Sequence, residues 1–389
     1  MSTNVSPAHD PLLFTPGPLT TSLTVKQRML RDIGSWERDF AVLVSDLRSR
    51  LLNVAGLPRD GEWTAVLLQG SGTYGVEAVL QTCVPPKGKV AVLANGAYGE
   101  RLAQILEYAR IQHVVLRDPE DAPVNPETLD QCLANDRDIT HVAVVHCETT
   151  TGMLNPIEEI GTVVKRHGRI FIVDAMSSFG GMQIDFEACA IDYLVSSANK
   201  CIEGVPGFSC VFCRKALLLG CAGWSRSLSL DLVAQFKAFE QDGKFRFTPP
   251  THALLAFQQA LAELNAEGGV AGRNLRYRRN HSVLHSGMLR LGFSPFLDSP
   301  FQSPFISAFH YPRDFEFNFG VFHEKLRQRG FVIYPGKLTR VDTFRIGTIG
   351  RIFEADILAL LSAIRDVLAE LGIIMTPTLD ALQTMPECE

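Results

Sequence analysis

The chain has 389 residues, 46% of them hydrophobic and 20% charged, which is enough to bury more than one core, so two domains are expected. A net charge of -5 and the lack of any basic run argue against nucleic acid or an anionic membrane as the main partner and leave small molecules as the expected ligands. No apolar run approaches the ~18 residues that span a bilayer, and the opening residues show no secretory pattern, so a soluble, cytoplasmic protein is expected.

Residues 1–25 are proline-rich. Thr15-Pro16-Gly17-Pro18 cannot lie inside a helix, so this stretch reads as an arm. Over 26–268, apolar runs of strand length alternate with helical periods. Strands are predicted at 65–69, 90–95, 113–117, 141–147, 170–175, 193–198 and 209–214. Helices at 98–109 and 157–166 fall between them, and a longer one follows at 251–266. The alternation implies an α/β fold with a mostly parallel seven-stranded sheet between helices. Over 269–373 the rhythm changes: a helix at 270–292, strand-like runs at 305–312, 331–336 and 343–350, and helices at 319–328 and 354–371 predict a smaller α+β domain. Residues 374–389 read as a frayed tail.

The nine cysteines have no disulfide-framework spacing, which fits a reducing compartment. Cys210 and Cys213 form a literal CxxC, but on a strand positions i and i+3 face opposite ways, so no metal is expected there.

Two charges stand at strand tips, where α/β sheets present groups to a ligand crevice: Asp174 after Ile170–Val173, and Lys200 shortly after 193–198. A rim salt bridge would account for them. So would pyridoxal 5'-phosphate, which needs a lysine for its Schiff base and an acid for its pyridinium nitrogen. Gly70-Ser71-Gly72-Thr73-Tyr74-Gly75 lies between a strand and a helix, where free N–H groups hold phosphate. As GxGxxG it could instead serve an NAD-dependent dehydrogenase, but the next strand ends in Asn95 rather than the acid that a ribose diol needs. Tyr98, at the head of a helix, could stack on a planar cofactor, and Thr149 in Glu148-Thr149-Thr150-Thr151 offers a hydroxyl at the same rim.

These segments resemble the fold-type I, class V aminotransferases. The resemblance runs over 12–350 through TPGPLTTS, LLQGSGTYGVEAVL, NGAYGERL, HCETTTGMLNP, VDAMSSFGG, SSANKCIEGVPGF, DGKFRFTPPTH and FRIGTIG. It implies that Lys200 carries pyridoxal 5'-phosphate, that Asp174 faces the ring nitrogen and that Ser71, Gly72 and Thr73 hold the phosphate. Tyr98 would stack on the ring and Thr149 would lie near its phenolic oxygen. A threonine from a neighbouring subunit, Thr248 or Thr251, would reach the phosphate of a homodimer with shared sites. Arg345 would clamp the substrate's anionic group, with Gly17 also on the substrate side. TPGPLTTS, VDAMSSFGG with SSANK, and RSLSLDL point within the family to members that move an amino group from an aminoalkylphosphonate to pyruvate. Alanine:glyoxylate or serine:pyruvate transamination is the alternative. The chain departs from the family pattern at Cys201, Glu203 and CVFCRK.

Overall fold

Seven apolar runs form one sheet; six are buried along most of their length, and the run at 112–117, at the sheet's edge, is only half-buried. They are β1 (Trp63–Gln69), β2 (Lys89–Ala94), β3 (Gln112–Arg117), β4 (Ile139–Val145), β5 (Ile170–Asp174), β6 (Tyr193–Ser197) and β7 (Phe208–Arg214). The computed structural model describes residues 10–58, 61–297, 300–312, 317–338 and 341–375. In the sheet the strands run in the order β1-β7-β6-β5-β4-β2-β3. Only β7 is antiparallel to its neighbours, so the mostly parallel sheet expected from the alternation is present. Residues 63–68 are all buried, as a strand sandwiched between helical layers requires.

The covering helices are α1 (Arg38–Val54), α2 (Gly72–Cys83), α3 (Ala97–Tyr108), α4 (Pro126–Asn135), α5 (Ile157–Arg166), α6 (Leu232–Asp242) and α7 (Thr251–Ala266). Helix α1 was not anticipated, although its buried Phe40, Leu43, Val44, Leu47 and Leu51 recur with helical period. Helix α2 begins inside the glycine-rich turn, at Gly72. Register sets the functional rim. Val145 of β4, Asp174 of β5 and Val195 of β6 lie level with one another, so the loops leaving these strands open on one edge.

A second apolar cluster forms around α8 (Gly269–Arg290), β8 (Ile306–His310), α9 (Phe319–Gln328), β9 (Tyr334–Pro335), β10 (Thr343–Gly347) and α10 (Glu354–Glu370). Its antiparallel sheet has the order β8-β10-β9. The run expected as one strand at 331–336 is divided. Phe331 and Val332 pair in parallel with Leu12 and Leu13, while Tyr334 and Pro335 pair with β10. The expected arm is therefore built in: Phe14 is fully buried in the second cluster, and the Gly347 amide donates to its carbonyl at 2.9 Å. Residues 376–389 of the expected tail lie outside the described residues. Among the described residues no helix is long and apolar enough to cross a membrane, and the eight described cysteines are free thiols.

Because Phe14 has no exposed surface, Phe14→Ala should leave a cavity and lower stability by about 3–5 kcal/mol. Urea denaturation at neutral pH, followed by circular dichroism, measures this loss.

Candidate active site

The tips of β1, β2, β4, β5 and β6 surround a cavity of about 280 Å³. Gly17, Ser71, Gly72, Thr73, Tyr98, Thr149, Asp174 and Lys200 all line it, so residues far apart in sequence converge as expected. Thr248, Thr251 and Arg345 do not line it. A wider groove of about 750 Å³ between α7 and α8 is lined by Glu267, Arg276 and Phe353 and contains none of these groups.

At one end lies the start of α2. Ser71 is its N-cap but accepts no side-chain hydrogen bond from the helix; the Tyr74 N–H donates to the Ser71 carbonyl at 2.9 Å, which leaves the N–H groups of Gly72 and Thr73 for a ligand. Gly72 lies close to Met176, whose thioether would have to move aside for any side chain placed there. Arg101, which the sequence reading missed, lines the cavity beside this turn, with its Nη1 3.5 Å from Thr73 Oγ1 and its guanidinium 4.7 Å from the Tyr98 ring centroid. Asn95 is buried and hydrogen-bonded to Asn155 and to the Ala122 carbonyl, a structural role that leaves nothing to hold a ribose.

Helix α3, which carries Tyr98 and Arg101, is fixed by a second group the sequence reading did not single out. The Glu148 carboxylate is fully buried and accepts from the amides of Tyr98 at 3.3 Å, Gly99 at 3.1 Å and Thr150 at 3.1 Å. It therefore satisfies the helix's first N–H groups and complements its dipole. Burial raises its pKa, and these hydrogen bonds work against that rise. Next to it, Thr149 Oγ1 shares a 2.8 Å hydrogen bond with Ser177 Oγ, so the rim presents a pair of hydroxyls.

Asp174 ends β5 inside the cavity wall. Among the described residues the only hydrogen bond its carboxylate accepts comes from the Met176 amide, at 3.0 Å. Burial pushes its pKa up to about 6; Glu148 adds to the rise, while the Met176 bond, Lys200 and Arg101 oppose it. Lys200 is shifted the other way. Burial lowers its amine to about 8, Arg345 adds to the fall, and Cys201 and Asp174 resist it. Its Nζ donates to the Pro16 carbonyl at 2.6 Å. Asp174 and Lys200 form no ion pair with each other, so the rim salt bridge is not what the fold builds. Gly17 leaves room for the amine: a Cβ there would sit 2.6 Å from Nζ.

Behind Lys200, the departures Cys201 and Glu203 have a structural use. The Cys201 carbonyl accepts from Arg273 Nη1 at 2.6 Å and the Tyr277 hydroxyl at 3.2 Å. Glu203 Oε1 accepts from Tyr277 at 2.7 Å and Arg276 Nη2 at 2.6 Å. The lysine loop is thereby anchored to α8.

Arg345, in β10, is buried. Its Nε donates to the Pro335 carbonyl and its Nη1 to the Thr149 carbonyl, each at 3.0 Å. Burial lowers its pKa, an effect opposed first by the Tyr98 phenol lying against it. Among the described residues it forms no ion pair, so pairing with a nearby acid does not explain it. It stands just behind the cavity wall formed by Thr149 and Tyr98. Thr248 is exposed, and its carbonyl accepts from Gln69 Nε2 at 3.1 Å; Thr251 opens α7.

Residues 33–307 match the family model described as aminotransferase class-V. The chain is 52% identical over 367 residues to a 2-aminoethylphosphonate–pyruvate transaminase of Syntrophobacter fumaroxidans, covering 94% of this chain and 98% of that protein. It is also 52% identical over 358 residues to a protein of the same name from Phocaeicola vulgatus, covering 92% and 98%. Among solved structures it is similar to the pyridoxamine-pyruvate aminotransferase of Mesorhizobium loti, with a TM-score of 0.86 and 24% identity over 96% of this chain and 98% of that one.

The raised Asp174 pKa means that ionising this carboxylate opposes folding. The cost is absent below the ordinary value of 3.8 and complete once pH rises past about 6, where it amounts to about 3 kcal/mol. Asp174→Asn should therefore stabilise the ligand-free chain by up to about 3 kcal/mol at pH 8 and hardly at all near pH 4. Urea midpoints at the two pH values test this.

Proposed function

The chain belongs to the class V aminotransferases, and we propose that it transfers the amino group of 2-aminoethylphosphonate to pyruvate, yielding phosphonoacetaldehyde and L-alanine. One observation carries the reading: a buried amine and a buried carboxylate share a cavity without pairing, in a chain that aligns over most of its length with transaminases of that name.

The residues present fit pyridoxal 5'-phosphate. Asp174 is a buried carboxylate with no cation bound to it, as a pyridinium N–H partner should be, and the open α2 N-terminus suits a phosphate. Ser71, Gly72 and Thr73 would hold the phosphate, Tyr98 the ring face, Thr149 with Ser177 the phenolic oxygen, and Lys200 the reactive carbon. When bound, the cofactor supplies an electron sink for the carbon that bears the amino group.

The chain's own groups do the rest. With its pKa near 8, Lys200 Nζ sheds a proton close to neutral pH, so it serves as nucleophile toward the cofactor. Positioned beside the bound substrate, it would take the proton from the nitrogen-bearing carbon and deliver it to the carbon on the cofactor's side of that nitrogen, so that the amino group changes owner. With Oδ1 engaged by the Met176 amide, Asp174 Oδ2 would accept a hydrogen bond from the ring nitrogen and so favour its protonated form. Arg345, held behind the wall with Nε and Nη1 on carbonyls, would turn the remaining donors of its guanidinium to the phosphonate of one substrate and the carboxylate of the other.

We assign Thr248, with Thr251 as the alternative, to the phosphate of a neighbouring copy in a homodimer. The exposed Leu30, Trp36, Leu228 and Phe247 support such an interface, and free thiols are in keeping with a cytoplasmic location.

Lys200→Ala should lower turnover more than about 10³-fold and abolish the covalent attachment of cofactor that borohydride makes permanent, with loss of visible absorbance, in the wild-type protein. Turnover left intact would overturn the assignment of Lys200. Amine-donor profiling tests the substrate: 2-aminoethylphosphonate with pyruvate should outpace alanine or serine with glyoxylate. Size-exclusion chromatography with light scattering should give twice the chain mass, and a fully active monomer would contradict the shared site.

A further inference from the structure

Lys337 has no part in the scheme above. It follows β9, and its Nζ stands 5.1 Å from the centroid of the Tyr98 ring, which lines the cavity. Arg345 comes from the neighbouring strand β10, where it pairs with Tyr334, and its guanidinium lies against the same Tyr98 phenol. One β-hairpin therefore delivers two cations to one aromatic side chain at the cavity wall. Neither forms an ion pair with a carboxylate among the described residues.

The two cations are held differently. Arg345 is buried and tied to two carbonyls through Nε and Nη1, so its guanidinium is held in place. Lys337 is exposed, and its position over a ring face is a weak interaction that an anion can outcompete. That difference suits a ligand with more than one charge. A carboxylate has two oxygens and one charge, which a single guanidinium fork satisfies. A phosphonate has three oxygens and carries a second negative charge near neutral pH. The third oxygen calls for another donor, and a compact ammonium with three N–H groups on a flexible stem can supply it.

We propose that Lys337 is the second cationic ligand of the substrate's anionic group and selects a phosphonate over a carboxylate of the same chain length. The proposal rests on the reading of function given above. Lys337 is a specificity residue in it; Lys200 carries out the proton transfers unaided.

The test uses the cofactor-loaded enzyme and two donors that differ only in the anionic group, 2-aminoethylphosphonate and 3-aminopropanoate. In Lys337→Gln the ratio of kcat/KM for the phosphonate to that for the carboxylate should fall roughly 10- to 100-fold, mostly through KM for the phosphonate. Lys337→Arg should restore much of the ratio. Calorimetry with the unreactive pair ethylphosphonate and propanoate should show the same selective loss of phosphonate binding, which a general loosening of the site would not produce. A Lys337→Gln enzyme that keeps the wild-type ratio, or loses both donors equally, overturns the role of Lys337 alone. A wild-type enzyme that does not favour the phosphonate over the carboxylate overturns the reading of function along with it.

Discussion

The site depends on burying an amine and a carboxylate at one rim while denying them each other. Either group alone pays a desolvation cost, and the two pKa values move toward neutrality from opposite sides as a result. A direct ion pair would relieve that cost and restore ordinary values. The fold prevents it by giving each group a different partner: the Met176 amide for Asp174 and the Pro16 carbonyl for Lys200. What remains is a buried carboxylate paired with no cation and an amine that loses its proton near neutral pH.

This arrangement needs both apolar clusters. Phe14 is buried in the second cluster, while two residues later Pro16 meets the Lys200 amine and Gly17 clears space for it. Arg345 spans the same junction in the other direction, from β10 to the Thr149 carbonyl on the main sheet's rim. Loosening the second cluster would thus free the lysine and the arginine together, so core packing and site geometry are coupled through a few residues of chain.

Much of this was legible in the sequence, for a physical reason. Parallel strands buried on both faces read as unbroken apolar runs, and a charge that ends such a run has few explanations other than a ligand crevice. Asp174 and Lys200 were read that way, and the Gly70–Gly75 turn from its glycine spacing between a strand and a helix. Arg101 was not, since an arginine three residues after Tyr98 on an amphipathic helix resembles any surface arginine. Glu148 was hidden by its neighbours: among three threonines it looks like a polar strand tip, and only the folding of 96–99 over it makes it a buried helix cap. The division of 331–336 between two pairings was equally unreadable, because both partners, the arm and β10, are distant in sequence.

The ionic cluster behind Lys200 shows how the fold sets position rather than stability. Glu203 adopts a left-handed backbone with φ of 65°, which costs a non-glycine residue on the order of 1–3 kcal/mol. Arg273 has no exposed surface, and together with Arg276, Glu203 and Glu267 it forms a neutral set of four charges mostly removed from water. Such clusters seldom repay their desolvation, and apolar replacements of similar shape are often as stable. An apolar replacement, however, would offer nothing to the Cys201 carbonyl, which takes hydrogen bonds from Arg273 and Tyr277. Those bonds fix the backbone one residue beyond Lys200, and the Glu203 bonds fix it three residues beyond. The energetic cost is met where the chain must hold a flexible side chain to a single approach, on the loop that carries the buried Lys200 amine.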